Sequence, residues 1–401
     1  MTIQPRPKGA FGNEEDPTIP SIAKNPFPYF ARMRELPPVF WQDALGVWAV
    51  FSDELCREIL NDWENFSSAG GAGFANFFRE KPWREPSVVF EVDPPDHTRT
   101  RRVLGRILSP AAARKISAAA DSEAKRMVTE CLSKGRFDVV EDLTKPFALK
   151  IIPDALGLAE EGRENALIYR KYVVKGRGLH RHEPWTKEEL EESEWVCDWV
   201  QQTCSRSKLA PGGLGSQIYD AVDAGEISEH EGNMLIRSFL SAGTDTTFTT
   251  TANAVLYLLQ NPKQWALLQE DPSKARKAYE EGLRYGSTTG AVSRTVTKEM
   301  DFHGAKLGKH DKIFVYVASA NRDPNRWDNP DDYDINRNST GHLSFSAGIH
   351  GCVGQMIART EASAVLSELA IQAGTLELDG EHTMLSTGNG VEILPVRGSL
   401  A

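Results

Sequence analysis

The 401-residue chain has few cysteines, no excess of basic charge and no long apolar run. Its five cysteines (Cys56, Cys131, Cys197, Cys204 and Cys352) form neither an even framework nor a metal-ligand cluster. That excludes a disulfide scaffold and points to a reducing compartment. Lys and Arg number 46 against 56 Asp and Glu, and the net charge of −10 argues against a nucleic-acid partner. Met1 to Pro20 is polar and rich in proline and charge, with no apolar core of a signal peptide and no spanning segment. Residues 1–20 are therefore expected as a mobile arm, and no membrane partner is expected. There is no internal repeat, no low-complexity tract, no interdomain linker, and no flavin or iron–sulfur motif. The 40% hydrophobic content is ample for a large core, and residues 21–401 read as one domain.

Helical patterns dominate what is present. They run over Ala111 to Lys134, Glu188 to Arg206 and, longest, Ser228 to Gln260, which stops before Pro262. Short strands are expected at 39–41, 47–50, 302–307 and 312–317, and a loop rich in Asn, Asp and Pro from Asn321 to Ser346. The pattern predicts a mainly helical protein with small β-sheets.

The most informative stretch is Phe345-Ser346-Ala347-Gly348-Ile349-His350-Gly351-Cys352-Val353-Gly354, which opens onto a helix from Gln355 to Ala370. Glycines permit unusual backbone angles and close approach of a flat ligand. A cysteine at a helix start gains thiolate character from the dipole and free N–H groups. A lone cysteine is ordinarily a buried structural thiol; here the whole pattern Phe-x-x-Gly-x-His-x-Cys-x-Gly resembles the haem loop of the cytochrome P450 family. The resemblance implies haem b as cofactor with the Cys352 sulfur as axial ligand of its iron. It also implies the cytochrome P450 fold, with haem between a long oxygen-binding helix and the cysteine-loop helix. Phe345 and Gly354 belong to the cofactor-binding loop in this reading. The unanchored N-terminus is similar to the soluble bacterial class, a cytoplasmic group.

Other motifs support that reading. Ser241-Ala242-Gly243-Thr244-Asp245-Thr246-Thr247 places glycine and threonines mid-helix, where both are locally unfavourable. Such conflicts mark functional sites, although a β-branched core stripe would look similar. The segment resembles the family's Ala-Gly-x-Asp-Thr, which implies that Ala242 lies over the cofactor and that Asp245 and Thr246 carry protons to bound O2. Glu281-Gly282-Leu283-Arg284 alone reads as a surface pair; it resembles the buried Glu-x-x-Arg motif, with Arg337 as candidate third member and a structural role. His97 and Arg101, four apart on one helix face, with Arg294 and His350, are the expected partners of the haem propionates. Taken singly, each is an ordinary surface cation.

A narrower similarity is to bacterial cytochrome P450 enzymes that oxidise para-substituted benzoates. It covers Lys81 to Ser87, Asp93 to Pro95, Leu209 to Gly213, Arg237-Ser238 and Ser319 to Ala358. It implies that Arg84 and Ser87 bind a substrate carboxylate, assisted by Ser238, with Arg237 close by. The implied activity is monooxygenation of a small aromatic carboxylate, by O-demethylation or hydroxylation of a compound such as 4-methoxybenzoate or 4-hydroxybenzoate. Electrons would come from a ferredoxin and its reductase, with a basic stripe of Arg99, Arg102 and Arg106 as docking surface. Phe90 and Val292 are expected to line the ring. Ser293, and the basic, glycine-rich Gly176 to His180, stand where aromatic and apolar residues are expected, which suggests a more polar pocket, holding a hydroxylated or doubly charged ring. The alternatives are a monooxygenase for a larger or more polar substrate, and a non-oxygenating haem-thiolate isomerase, dehydratase or sensor. A monomer is the default.

Overall fold

The computed structural model describes residues 3–178, 184–385 and 390–401. The longest helix, Glu229–Gln260, starts at a capping box. The Ser228 hydroxyl accepts from the Glu231 N–H at 3.2 Å, while Glu231 Oε2 accepts from the Ser228 N–H at 2.8 Å. It ends at Asn261, before Pro262. Residues such as Leu235, Ile236, Leu240, Val255 and Leu256 on it are buried, and it packs on helices Lys145–Leu156, Asn165–Gly176 and Ala275–Gly286. Pro110–Lys134, opened by the Ser109 cap, lies along Gln355–Gln372, the helix that follows Cys352. These helices share one apolar core.

The sheets are peripheral. The largest has six strands in the order Gly12–Asn13, Phe40–Gln42, Val47–Val50, Lys312–Val315, Val292–Val296, Phe66–Ser67. Trp48 pairs in parallel with Ile313, and Arg294 pairs antiparallel to the same residue. The opening residues, expected as a mobile arm, lie against this sheet. Gly12 and Asn13 pair with Trp41 and Gln42, and Arg6 meets Asp43 at 2.6 Å. The single strand expected over 302–307 is a hairpin, Met300–Phe302 and Ala305–Leu307. His303 and Gly304 both take positive φ (48° and 84°) and turn the chain between them. The strand expected over 312–317 ends at Val315 and turns into the short helix Val317–Ala320. The helix expected to reach Arg206 stops at Thr203, before a separate turn at Arg206–Lys208. Among the described residues no helix is long and apolar enough to cross a membrane.

One buried carboxylate ties the long loop before Cys352 to the helical core. Glu281 and Arg284 are both 0% exposed and meet through two bonds of 2.7 and 2.8 Å. Arg284 also donates to the carbonyls of Asn321, Pro330 and Asp332. Glu281 accepts further from Arg337 Nε at 3.2 Å, Ser339 Oγ at 2.6 Å and the Asp334 N–H at 3.1 Å. A charge taken out of water needs this degree of satisfaction. Ser339 was not singled out in the sequence; it carries no motif signal.

Two outcomes follow for stability. Arg284→Ala strands Glu281 and should cost about 3–5 kcal/mol, read as a lower urea midpoint. The Arg99 guanidinium, bonded to Glu231 at 2.6 and 2.7 Å, holds the Glu231 carboxyl down at about 2 against the opposing effect of burial. A carboxylate depressed in the fold stabilises above its unfolded value and loses that contribution as pH falls towards 2. The stability gap between wild type and Glu231→Gln should therefore be full at pH 7 and close between about pH 4.5 and 2. A gap that stays constant down to pH 3 would contradict this.

Candidate active site

The cysteine loop is shaped by one glycine above all. Gly348 has φ +67°, and a Cβ there would collide with the carbonyl oxygen of Leu60. Ser346, at φ 61°, also takes the left-handed region. Gly351 and Gly354 have negative φ, and a Cβ on Gly354 would meet only Cys352 Sγ, at 4.0 Å. Backbone strain requires neither as glycine; a Cβ on Gly351 would be tight against the Gly348 carbonyl at 3.3 Å, whereas Gly354 has room for one. The Cys352 N–H donates to the Phe345 carbonyl at 2.8 Å, closing the loop. Burial pushes the Cys352 thiol up; the Gly354 and Gln355 N–H groups with Arg101 and Arg359 pull it part of the way back. The helix-start effect read from the sequence is present, but burial outweighs it. The Phe345 ring packs 5.6 Å from His342 and lies under the Arg359 guanidinium at 4.6 Å.

Beside this loop, basic groups outnumber the acids. His97 and His350 rings lie 4.4 Å apart, and the Nε2 atom of each is buried without a partner. Arg101 donates to the Gly351 carbonyl, and Arg294 donates to the Ser293 carbonyl at 2.9 Å. Neither arginine has an ion-pair partner among the described residues. Burial lowers the His97 imidazole to about 4 and the Arg294 guanidinium to about 10. Asp93 is the one nearby carboxylate, 3.9 Å from His350 Nε2, and it is held by Ser67 Oγ and the Ser68 N–H. Orphaned donors and cations of this kind fit a buried group carrying two carboxylates. Asp93 was missed as a participant, although its Asp-Pro-Pro context stood out.

The long helix continues unbroken through 241–247. Thr246 Oγ1 donates to the Ala242 carbonyl at 2.6 Å, and Gly243 packs on Ile152. Asp245 is not free: its Oδ2 accepts from Arg170 Nε at 2.7 Å. Arg170 was missed because it lies 75 residues away on Asn165–Gly176 and carries no local signal.

Arg84, Ser87, Arg237 and Ser238 are brought together. Ser87 Oγ and Ser238 Oγ are 3.0 Å apart, and Ser238 donates to the Met234 carbonyl at 2.8 Å. Arg237 donates to the carbonyls of Glu85 (3.0 Å) and Pro86 (3.4 Å). Arg84 is paired with Glu91 at 3.1 Å, a residue the sequence reading passed over, and Glu91 also takes the Ser87 N–H at 2.8 Å. Arg84 Nε remains buried and without a partner. Phe90 is exposed. Strand alternation puts Val292 and Arg294 on one face, and Ser293 with Thr295 on the other. The basic stripe is mostly neutralised: Arg99 is bound by Glu231 and Asp96, and Arg106 by Glu226, which leaves Arg102. The Leu179–His180 part of the Gly176 to His180 stretch lies outside the described residues.

A sequence model of the family "Cytochrome P450" matches residues 214–387. Cytochrome p450 CYP199A2 of Rhodopseudomonas palustris is 40% identical over 95% of this chain and 93% of its own length. The chain belongs to the cytochrome P450 family. The erythromycin C-12 hydroxylase of Saccharopolyspora erythraea is 30% identical, covering 89% of each chain. The crystal structure of CalO2 superposes with a TM-score of 0.85 at 26% identity, over 96% of this chain and 99% of that one. The fold is thus the cytochrome P450 fold expected from the sequence. Members of this family bind haem b through a cysteine thiolate and act as monooxygenases.

Proposed function

We propose that this cytochrome P450 oxidises a small aromatic carboxylate, a benzoate with a para substituent, in the cytoplasm. The observation that carries the reading is the buried, unpartnered Arg84 Nε beside the Ser87–Ser238 hydroxyl pair. A carboxylate entering there gains a charge-assisted bond from an Nε that no described residue occupies. Ser87 and Ser238 bind it by rotating a hydroxyl hydrogen away from each other or from the Met234 carbonyl. Val292 bounds the ring. Anchoring one end fixes where the opposite end points, and positioning of that kind accelerates a reaction.

Cys352 would hold haem iron, with His97, Arg101, Arg294 and His350 meeting the propionates, and Phe345, Gly354 and Ala242 bounding the ring. Haem, when bound, supplies activation of O2 and transfer of one oxygen atom to the substrate. The chain's own task is proton supply and exclusion of water. Thr246 holds its proton at Oγ1 and must release the Ala242 carbonyl to deliver it. Asp245 is kept in place by Arg170 and passes a proton only after that contact loosens.

Electrons would be brought by a ferredoxin from its reductase. A depression of about 880 Å³ on the outer side of the cysteine loop is the favoured docking face. Arg276 and Lys277 line it, and it includes no residue of the long helix. In the Arg99–Arg106 stripe, by contrast, Arg99 and Arg106 are already paired within the chain and only Arg102 is left.

Thr246→Ala should uncouple the enzyme, giving peroxide in place of product in an NADH-consumption assay; full coupling would remove the proton-delivery role. Arg84→Ala should weaken binding of 4-methoxybenzoate by at least about tenfold while neutral anisoles change little, read from the haem optical shift. Equal losses for acid and neutral analogue would refute the anchor.

A further inference from the structure

The space between the carboxylate anchor and the oxygen-binding segment carries more positive charge than one benzoate can neutralise. Four arginines gather around it: Arg170, paired with Asp245, and Arg177 lie two turns apart on one helix face, Arg177 is within electrostatic reach of Arg170 and Arg84, and Arg237 is within reach of Arg84. Arg177 senses Arg170, Glu91, Arg84 and Asp245, and Arg237 senses Arg84, Glu91 and the outward-facing Glu85, which pairs with His230. Two carboxylates answer them. Glu91 is paired with Arg84, and Asp245 with Arg170. Lys312, also near Glu91, gives its ammonium to the carbonyls of Gly70 and Gly71. Arg237 and Arg177 are left without an acid, and Arg237 is at least satisfied by the Glu85 and Pro86 carbonyls.

Arg177 has no such relief. Its side chain makes no hydrogen bond or ion pair among the described residues. Burial lowers the guanidinium to about 9, and the residue as a whole is half-buried. Its place is fixed. The Arg177 carbonyl accepts from the Phe74 N–H at 2.7 Å. A Cβ on Gly73, at φ +63°, would strike that carbonyl and sit 2.8 Å from Arg177 Cβ. One residue earlier, a Cβ on Gly176 would strike the Trp83 indole. Two glycines thus let the chain seat a cation against two loops. A buried cation held in this way costs several kcal/mol unless an anion meets it.

We propose that Arg177 meets a second anionic group on the substrate, so that the substrate is an aromatic dianion, a benzene dicarboxylate with an oxidisable para substituent. This rests on the benzoate reading above and deepens it. Arg84 takes the first carboxylate. Arg177, whose strongest charged neighbour is Arg170, takes the second on the side of the ring towards the long helix. The two substrate charges then offset the net positive charge that four arginines and two carboxylates, Glu91 and Asp245, leave in this region.

The test uses the purified haem enzyme and compares 4-methoxybenzoate with the 1,2- and 1,3-dicarboxylates of methoxybenzene bearing the same para relation. Binding is read by the haem optical shift and independently by calorimetry. One diacid should bind at least about tenfold more tightly than the monoacid. Arg177→Gln should bring that ratio towards one, Arg177→Lys should retain part of it, and Arg84→Ala should weaken monoacid and diacid alike. A wild-type enzyme that binds the monoacid as tightly as either diacid overturns the inference and leaves the benzoate reading standing. Survival of the ratio in Arg177→Gln also overturns it, and if that variant does not fold the wild-type ratio decides. If no acid binds, the benzoate reading falls and takes this inference with it.

Discussion

The Glu281 carboxylate organises the side of the molecule that presents Cys352. It sits at the meeting of a helix and the long loop that follows residue 321, and every lone pair it offers is used. Arg284 spends its remaining donors on three loop carbonyls, so helix and loop are fixed by one pair of charges. Such a pair adds little over a well-packed apolar alternative. What it provides is position: it allows one arrangement of the loop, and the cysteine turn begins where that arrangement ends. Gly348 then presses the turn against Leu60, giving it a second fixed point.

On the other side of the long helix the organising feature is cationic excess. Arginines that end in backbone carbonyls or in nothing at all are rare in a protein interior. Here they occur at two places, beside the cysteine loop and above the oxygen-binding segment. Both suit a partner that is itself anionic: propionates in the first case, an aromatic acid in the second. On the reading proposed above, these charges are met only when haem and an acidic substrate are bound.

Much of this was legible in the chain. The Phe345 to Gly354 window, the Ala242 to Thr246 segment and Glu281-x-x-Arg284 are local patterns, and local patterns survive in one dimension. The apolar period from Ser228 to Gln260 and the stop at Pro262 marked the long helix almost to the residue. Long-range partners were not legible. Nothing in the sequence joins Arg170 to Asp245, Glu91 to Arg84, or Ser339 to Glu281, because side-chain pairing across the fold depends on packing and leaves no periodic trace. The hairpin at His303-Gly304 was read as one strand because a histidine at positive φ gives a weak turn signal. The pairing within the arginine stripe was illegible for the same reason: its acids, Glu226 and Glu231, come from distant residues.

Arg170 and Arg177 stand seven residues apart on and at the end of Asn165–Gly176, two turns and therefore on one face. A single rod thus carries the side chain that restrains the acid and the one that would greet the guest.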